Sequence, residues 1–291
     1  MIELGISSLA WPENEADAAL RMLRLIGYGA IEIAPASILG ASWTAPRGLE
    51  DAQFMRDLLE YRGVGCSALQ GILFGVEDVE LFASSHSRDN LRRHLEHVAE
   101  LARILGARVC VFGAPKQRQI GKLSLGEAHI IAASFFRTIA PEFAGRGLTL
   151  AFEANPKHYG CDFITNTGEA ADLAGDVGQA GFGVQLDTGT MIMSMETPSM
   201  LFKGMEYAAH LHISQPELAP VGGGQWLGCH EAIATTLHDL GYFGKIPGAG
   251  EFDCERQPGS VTVEMKPALD WWGAIRVAAD FARSVYLTPP G

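Results

Sequence analysis

Four ionisable residues stand at or near the end of short apolar runs in the second half of the sequence. They are Glu153 in LTLAFE, Asp187 in FGVQLD, His212 in AHLHIS and Glu264 in SVTVEM. A single carboxylate in such a position is more often a helix cap or a salt-bridge partner. Four ionisable residues at equivalent positions, one or two strand-and-helix units apart, favour a shared site instead.

A divalent metal ion accounts for three carboxylates and one imidazole in the same cleft. Carboxylates that converge between apolar walls repel one another and raise each other's pKa unless a cation lies among them. The set is mostly hard oxygen, which suits Mn²⁺ or Mg²⁺; Co²⁺ also fits, and Zn²⁺ fits less well. The sequence therefore predicts one divalent metal ion bound by Glu153, Asp187, His212 and Glu264.

The elements that must position these residues follow a regular alternation along the whole chain. Eight short β-branched or apolar runs are each followed by a longer stretch of helical periodicity. The runs are IELGIS, AIEIA, GVGCSAL, RVCVFG, LTLAFE, FGVQLD, AHLHIS and SVTVEM. Such alternation indicates a parallel sheet, because parallel neighbours need a long crossover. Eight units favour an α/β fold of the closed (β/α)8 TIM-barrel type, and an open doubly wound sheet is the alternative.

One helix and one irregular stretch are the clearest local features. The segment SRDNLRRHLEHVAELARILG carries an apolar stripe, with Ser87 predicted to cap its start and Gly106 to end it. Residues 244–260, GKIPGAGEFDCERQPGS, have no clear periodicity, and we expect an insertion there before the eighth strand. No linker or charge block divides residues 1–291, so a single barrel domain is predicted.

Composition restricts the partners and the compartment. The formal net charge is −12, which argues against nucleic acid as a partner and favours a small polar molecule. The start, MIELGISS, lacks a basic region followed by an apolar one, and no apolar run is long enough to span a membrane, so we expect a cytoplasmic protein without a membrane segment. The five cysteines have no C-x-x-C spacing, which argues against a disulfide framework and a zinc knuckle.

Five motifs give the sequence a resemblance to the xylose isomerase-like TIM barrel superfamily of sugar-phosphate isomerases and epimerases. They are EANPKHYG from Glu153, LDTGT around Asp187, HLHIS around His212, LGYFGK before the last strand and VEMKP around Glu264, and the likeness covers essentially the whole chain. The resemblance implies that these four residues bind one divalent metal ion. In ketose 3-epimerase members the two glutamates also shuttle a proton, which assigns catalysis here to Glu153 and Glu264. Homo-oligomers are common in that family, so the resemblance implies one here.

Two departures from the epimerase pattern leave the reaction open. Thr190 stands where several members have a histidine, and Gln215, Pro216 and Glu217 stand where an arginine is usual. The leading hypothesis is a metal-dependent sugar or polyol isomerase or epimerase that acts through an enediolate. The alternative is a metal-dependent dehydratase or other lyase of a keto-polyol or cyclic hydroxy-ketone. Hydrolysis of DNA is disfavoured by charge and by missing histidines, and a non-catalytic barrel by the intact metal set.

Several polar or aromatic residues near the predicted strand ends are candidates for contact with the substrate. Lys116 and Arg118 follow the fourth strand and are expected on the rim, where they meet a carboxylate or phosphate or simply belong to a surface loop. The predicted substrate contacts are Trp11, Glu32, Gln70, Lys116, Arg118, His158 and Gln215. For Trp11, packing in the core is an equal alternative to substrate contact. For His158, a position in a solvent-exposed loop is an equal alternative. His210, two residues before His212, is expected deeper inside the barrel.

Overall fold

The computed structural model describes residues 3–243 and 261–289, and eight parallel strands form a closed barrel within them. The strands are β1 Leu4–Ser7, β2 Ala30–Ile33, β3 Gly65–Leu69, β4 Val109–Phe112, β5 Thr149–Glu153, β6 Phe182–Asp187, β7 Ala208–Ser214 and β8 Val261–Glu264. They neighbour one another in chain order, and β8 closes on β1. The predicted TIM barrel is confirmed and the open sheet is excluded. The predicted insertion at 244–260 lies outside the described residues.

Helices connect the strands and surround the barrel. They are α1 Ala16–Ile26, α2 Pro35–Ile38, α3 Pro46–Arg62, α4 Ser85–Leu105, α5 Leu125–Ala144, α6 Thr167–Val177, α7 Thr188–Met193, α8 Pro198–Met205, α9 Leu227–Asp239 and α10 Trp271–Phe281. A π-helical segment, Ala282–Leu287, continues α10. No helix in the part of the chain that the structure describes combines the length and hydropathy needed to span a membrane.

The predicted cap of α4 is wrong by one turn. Ser84, not Ser87, is the N-cap, and its Oγ accepts the N–H of Ser87 at 3.0 Å. Ser87 is buried instead, and its hydroxyl donates to the main-chain oxygen of Glu80 at 2.9 Å. The end of the helix is as predicted, because Gly106 adopts the left-handed conformation, with φ of 78°, that ends a helix without steric cost.

The main apolar core lies between the barrel and the helices. Successive side chains of a strand point to opposite faces, so half of each strand faces outward. Ile6, Ile31, Phe112, Phe152 and Leu211 are fully buried in this outer layer. Burial of this continuous apolar layer, at roughly 25 cal/mol per Å², is the main favourable term for the fold.

The barrel interior is smaller and more polar than the usual filling of branched aliphatic side chains. A separate apolar cluster of Ala68, Val109, Val111 and Ala151 occupies part of it. Glu32, Gln185, His210 and Thr262 are also buried, on strands that face the same interior. Burying polar groups costs free energy unless they are hydrogen-bonded. The packing of the barrel interior therefore depends on hydrogen bonds that connect it to the carboxyl end of the barrel.

Strand register brings the four predicted metal ligands to one end of the barrel. Residues paired across neighbouring parallel strands share the inward or outward direction of their side chains. The relevant pairs are Glu153 with Gln185, Asp187 with His212, and Ser214 with Glu264. All of these side chains point inward near the carboxyl ends of β5 to β8, where TIM barrels carry their active sites.

The corrected cap of α4 gives a stability prediction. Replacing Ser84 with Ala removes the only side-chain acceptor seen for the N–H of Ser87 within residues 3–243 and 261–289, and should lower the free energy of unfolding by about 1 kcal/mol. Ser85→Ala is the matched control, because Ser85 is an exposed serine one residue further along and should change stability little. Urea denaturation followed by circular dichroism measures both. Equal effects of the two variants would contradict the assignment of the cap.

Candidate metal centre

Four side chains from four consecutive strands meet at the carboxyl end of the barrel. Glu153, Asp187, His212 and Glu264 each offer one ligand atom, and these atoms lie within 4.8 Å of one another. Nδ1 of His212 is 3.5 Å from Oε1 of Glu153, 3.8 Å from Oδ2 of Asp187 and 3.2 Å from Oε2 of Glu264. This nitrogen is buried and finds no hydrogen-bond partner among the described residues. A cation among the four atoms would satisfy it.

Each carboxylate is oriented by a hydrogen-bond donor. Glu153 accepts from Nδ2 of Asn155 at 3.0 Å, and Glu264 accepts from Nε2 of Gln70 at 3.1 Å. In both glutamates the other oxygen is the one that faces His212. Such donors fix the direction of a metal-binding carboxylate, so the ligand atoms are already aimed at a common point.

Asp187 combines the two roles that its position at a strand end suggests. Its Oδ1 accepts the N–H of Thr190 at 2.6 Å and so caps α7, while its Oδ2 accepts the hydroxyl of Ser214 at 2.6 Å. Packing requires a small residue at Gly189, two positions after Asp187. A Cβ on Gly189 would lie 2.8 Å from Oγ of Ser214. Close approach of β7 therefore explains why Gly189 is small.

A buried carboxylate holds His212 from the opposite side. Nε2 of His212 lies 3.0 and 2.9 Å from the two oxygens of Glu32, and Nε2 of His210 lies 3.1 Å from Oε2 of the same residue. All three side chains are at most 1% exposed. A proton on Nε2 shared with Glu32 leaves Nδ1 as the atom available to a metal, as in many metal-binding histidines. His210 lies inside the barrel, as its position on β7 predicts.

The electrostatics of the four groups favour a bound cation. Burial, together with the charges of Glu153 and Glu264, raises the pKa of Asp187 to about 7 against the opposing effects of His212 and Ser214. Burial alone would lower the pKa of His212, but the carboxylates of Glu32 and Glu264 outweigh it and hold that pKa well above its usual range. Protons thus take the place of a cation in the metal-free centre, and a metal ion would displace them.

A cavity of about 510 Å³ opens over the four side chains. Three of the predicted substrate contacts line it, namely Gln70, Lys116 and Gln215. Five further polar residues that sequence reasoning did not single out as substrate contacts also line it: Gln117, Asn155, Tyr159, Thr190 and Ser214. The remaining wall is largely apolar and includes Leu9, Ile72, Leu73, Phe74 and Leu218. The cavity can hold a small polar molecule with one less polar face.

The other four predicted substrate contacts do not line this cavity. Trp11 is 3% exposed and packs in the main apolar core. Glu32 lies beneath the centre and holds His212, and Arg118 is fully buried behind Glu153. His158 is largely exposed and forms an ion pair of 3.5 Å with Glu217.

Tyr159 takes the place that the sequence suggests for His158. Its hydroxyl accepts the main-chain N–H of Glu217 at 2.9 Å, which joins the loops after β5 and β7 at the rim of the cavity. Glu217 adopts a left-handed φ of 62° at this junction. Neighbouring residues in a loop point in different directions, so no pattern in the sequence favours Tyr159 over His158. Asn155 lies two residues beyond Glu153 in the same motif, and this spacing is the signal that could have identified it.

Solved structures similar to this one are TIM barrels, several of them sugar epimerases by name. D-psicose 3-epimerase from Clostridium cellulolyticum H10 is similar with a TM-score of 0.76 and 16% identity over 98% of this chain and 99% of that chain. 3-keto-D-glucoside 4-epimerase from E. coli has a TM-score of 0.73 and 16% identity over 98% and 100%. The IolI protein with a zinc atom has a TM-score of 0.69 and 15% identity over 98% of each chain. At these identities the similarity establishes the fold.

Sequence comparison gives the family directly. No curated protein sequence matches the chain significantly. The sequence profile of the xylose isomerase-like TIM barrel family, in contrast, matches residues 20–271, which include the seven strands β2 to β8 and all four side chains of the candidate centre. The chain therefore belongs to the xylose isomerase-like TIM barrel family.

Proposed function

We propose that this protein is a divalent-metal-dependent sugar or polyol isomerase or epimerase. The observation that carries the proposal is the convergence of three carboxylate oxygens on the unpartnered Nδ1 of His212 at the floor of a cavity. Two similar structures are sugar epimerases by name, and a third is described with a zinc atom, which supports both the substrate class and the metal. The mostly oxygen donor set favours Mn²⁺ or Mg²⁺, with Co²⁺ and Zn²⁺ as further candidates.

The two glutamates of the centre are the proposed acid–base pair. A divalent ion held by Glu153, Asp187, His212 and Glu264 would supply Lewis acidity at a substrate carbonyl. Glu153 and Glu264 reach the cavity from β5 and β8, with β6 and β7 between them. One carboxylate removes the proton from the carbon beside the carbonyl, and the other returns a proton on the opposite face or to the neighbouring atom. The first outcome is epimerisation and the second is isomerisation.

Polar residues around the cavity are the proposed substrate contacts. Gln70 and Gln215 offer amide groups, and Tyr159 and Thr190 offer hydroxyl groups. The Tyr159 oxygen already accepts from Glu217, so its own proton is free to donate to a sugar oxygen. Lys116 is exposed at the cavity and is the contact that would meet an anionic group of the substrate.

A lyase would use the same proton abstraction but would expel a β-hydroxyl group afterwards. The two neighbours described above whose names state a reaction are epimerases, so isomerisation or epimerisation is the reaction we propose. A lyase product carries a conjugated carbonyl with new ultraviolet absorbance, whereas an isomerase conserves the mass of its substrate.

Metal binding is the first prediction. Purified protein titrated with Mn²⁺ should bind one ion per chain, because four ligand atoms converge on one point. Glu153→Gln, Asp187→Asn, His212→Ala and Glu264→Gln should each weaken binding by more than the roughly 10- to 100-fold typical of outer-shell changes. His129→Ala is the control, because His129 pairs with Asp176 on the surface and should leave binding unchanged. A parent protein that binds no divalent ion would remove the basis of the proposal.

Solvent deuterium uptake is the second prediction. In D₂O the metal-loaded protein should incorporate deuterium at the carbon next to the carbonyl of a suitable ketose, since either reaction exchanges that proton. Glu153→Gln and Glu264→Gln should each abolish the uptake, which nuclear magnetic resonance or mass spectrometry measures. The panel should include ketoses, their phosphates and keto-inositols. Failure of every member to exchange would contradict isomerase and epimerase alike, and a dehydrated product would identify a lyase.

The third prediction concerns the pH dependence of stability without metal. Asp187 has a pKa of about 7 in the folded protein and an ordinary value of 3.8. Between these values the folded state holds the proton more tightly than the unfolded chain, so the free energy of unfolding should fall as pH rises from about 4 to about 7. Thermal melts in EDTA should show this fall, and saturating Mn²⁺ should reverse it near pH 7 and above.

Asp187→Asn provides the matched variant for this measurement. An asparagine keeps an oxygen that can accept the N–H of Thr190, so the cap of α7 is retained, but the titrating carboxyl is lost. In EDTA the variant should therefore show a weaker fall in stability between pH 4 and 7 than the parent. The same slope in both proteins would assign the pH dependence to other groups.

A further inference from the structure

Arg118 is a fully buried cation that lies behind the centre instead of in the cavity. Its Nη1 donates to the main-chain oxygen of Glu153 at 2.7 Å, and its Nη2 donates to Oδ1 of Asn155 at 2.9 Å and to Sγ of Cys161 at 3.3 Å. The guanidinium also packs over the ring of Phe152, 4.7 Å from its centroid. Within residues 3–243 and 261–289 no carboxylate forms an ion pair with it. Burying a charge among neutral partners costs free energy. The contacts that those partners make in turn therefore indicate what the arginine does.

The amide of Asn155 transmits the direction of Arg118 to the carboxylate of Glu153. A guanidinium can only donate hydrogen bonds, so it fixes Oδ1 of Asn155 towards itself and Nδ2 away. Nδ2 then donates to Oε2 of Glu153 at 3.0 Å. With Oε2 held, Oε1 is the oxygen that lies 3.5 Å from Nδ1 of His212. A reversed amide would set two donors against each other and release the carboxylate.

Gly113, directly after β4, closes the space around the held oxygen. A Cβ at this position would overlap Oε2 of Glu153 and would lie 3.5 Å from Oδ1 of Asn155. The carboxylate therefore has a donor on one side and a main chain without a side chain on the other, which leaves one orientation for it. The corresponding donor to Glu264 among the described residues is the amide of Gln70, on the oxygen that does not face His212, and no buried cation is seen behind that amide within residues 3–243 and 261–289.

We propose that Arg118 is a positioning residue that acts through Asn155 to fix Glu153 as metal ligand and proton-transfer group. This inference rests on the function proposed above, and it replaces the substrate contact that the sequence suggests for Arg118. The two glutamates are thus held differently. The buried cation Arg118 acts on Glu153 through Asn155, whereas the neutral amide of Gln70 donates to Glu264.

Mn²⁺ affinity of single and double variants tests the proposal. Asn155→Ala and Arg118→Lys should each weaken binding by about 10- to 100-fold, the range typical of outer-shell residues. Because both act on one carboxylate, the double variant should lose little more than the weaker-binding single variant. Lys122→Ala is the matched control, an exposed cation in the same loop that should leave affinity unchanged. In turnover assays kcat should fall in both single variants with little change in KM.

A crystal structure of the metal-free Asn155→Ala protein gives a readout that needs neither metal nor substrate. The Glu153 carboxylate should leave its position, while Asp187 and Glu264 keep theirs. This structure tests the positioning of Glu153 even if the protein proves to have another activity. The proposal is overturned by a Glu153 side chain that stays in place, by additive losses in the double variant, or by Arg118→Lys raising KM with Mn²⁺ affinity intact. Should Arg118→Lys fail to fold, the proposal is tested by the Mn²⁺ affinity and the crystal structure of Asn155→Ala alone.

Discussion

Repulsion among three largely buried carboxylates is the constraint on which the rest of the centre depends. Glu153, Asp187 and Glu264 all face the one free nitrogen of His212, and a protein cannot keep three such anions together in a low-dielectric cleft without compensation. Burial and the charges of Glu153 and Glu264 raise the pKa of Asp187, and the carboxylates of Glu32 and Glu264 raise the pKa of His212 against the effect of burial, so these two groups favour their protonated forms. A divalent ion would compensate the charges better, since it would attract all four groups at once.

The surroundings of the centre follow from the same constraint. Amide and hydroxyl donors turn the carboxylates towards a common point, and Glu32 does the same for His212 from below. Glu32 also pairs with His210, so this part of the barrel interior is polar where many TIM barrels have only aliphatic layers. The stability of the barrel consequently relies on its outer apolar layer, where the strands pack against helices.

Regular patterns in the sequence were enough to predict the barrel and the convergence of four strand-end residues. Periodicity identifies strands, and parallel strands place their ends together, so the geometry of Glu153, Asp187, His212 and Glu264 followed from spacing. Loop residues have no such period. Lys116 and Arg118 are two positions apart, yet Lys116 lies at the cavity and Arg118 is buried, because both belong to the short 3₁₀ helix Pro115–Arg118, in which residues two apart point in different directions. The choice between Ser84 and Ser87 as a cap failed for a related reason, since either serine can precede a helical stripe.

The double use of Asp187 links the chemistry of the centre to the local folding of the chain. One oxygen of its carboxylate closes the first turn of α7, and the other faces Nδ1 of His212. Any event that moves this carboxylate therefore loosens the start of α7 as well. The N–H of Thr190 is bound by the first of these oxygens, so its amide hydrogen exchange should slow when the centre binds a metal ion. The exchange rate at this one backbone position would then report the fraction of protein with metal bound.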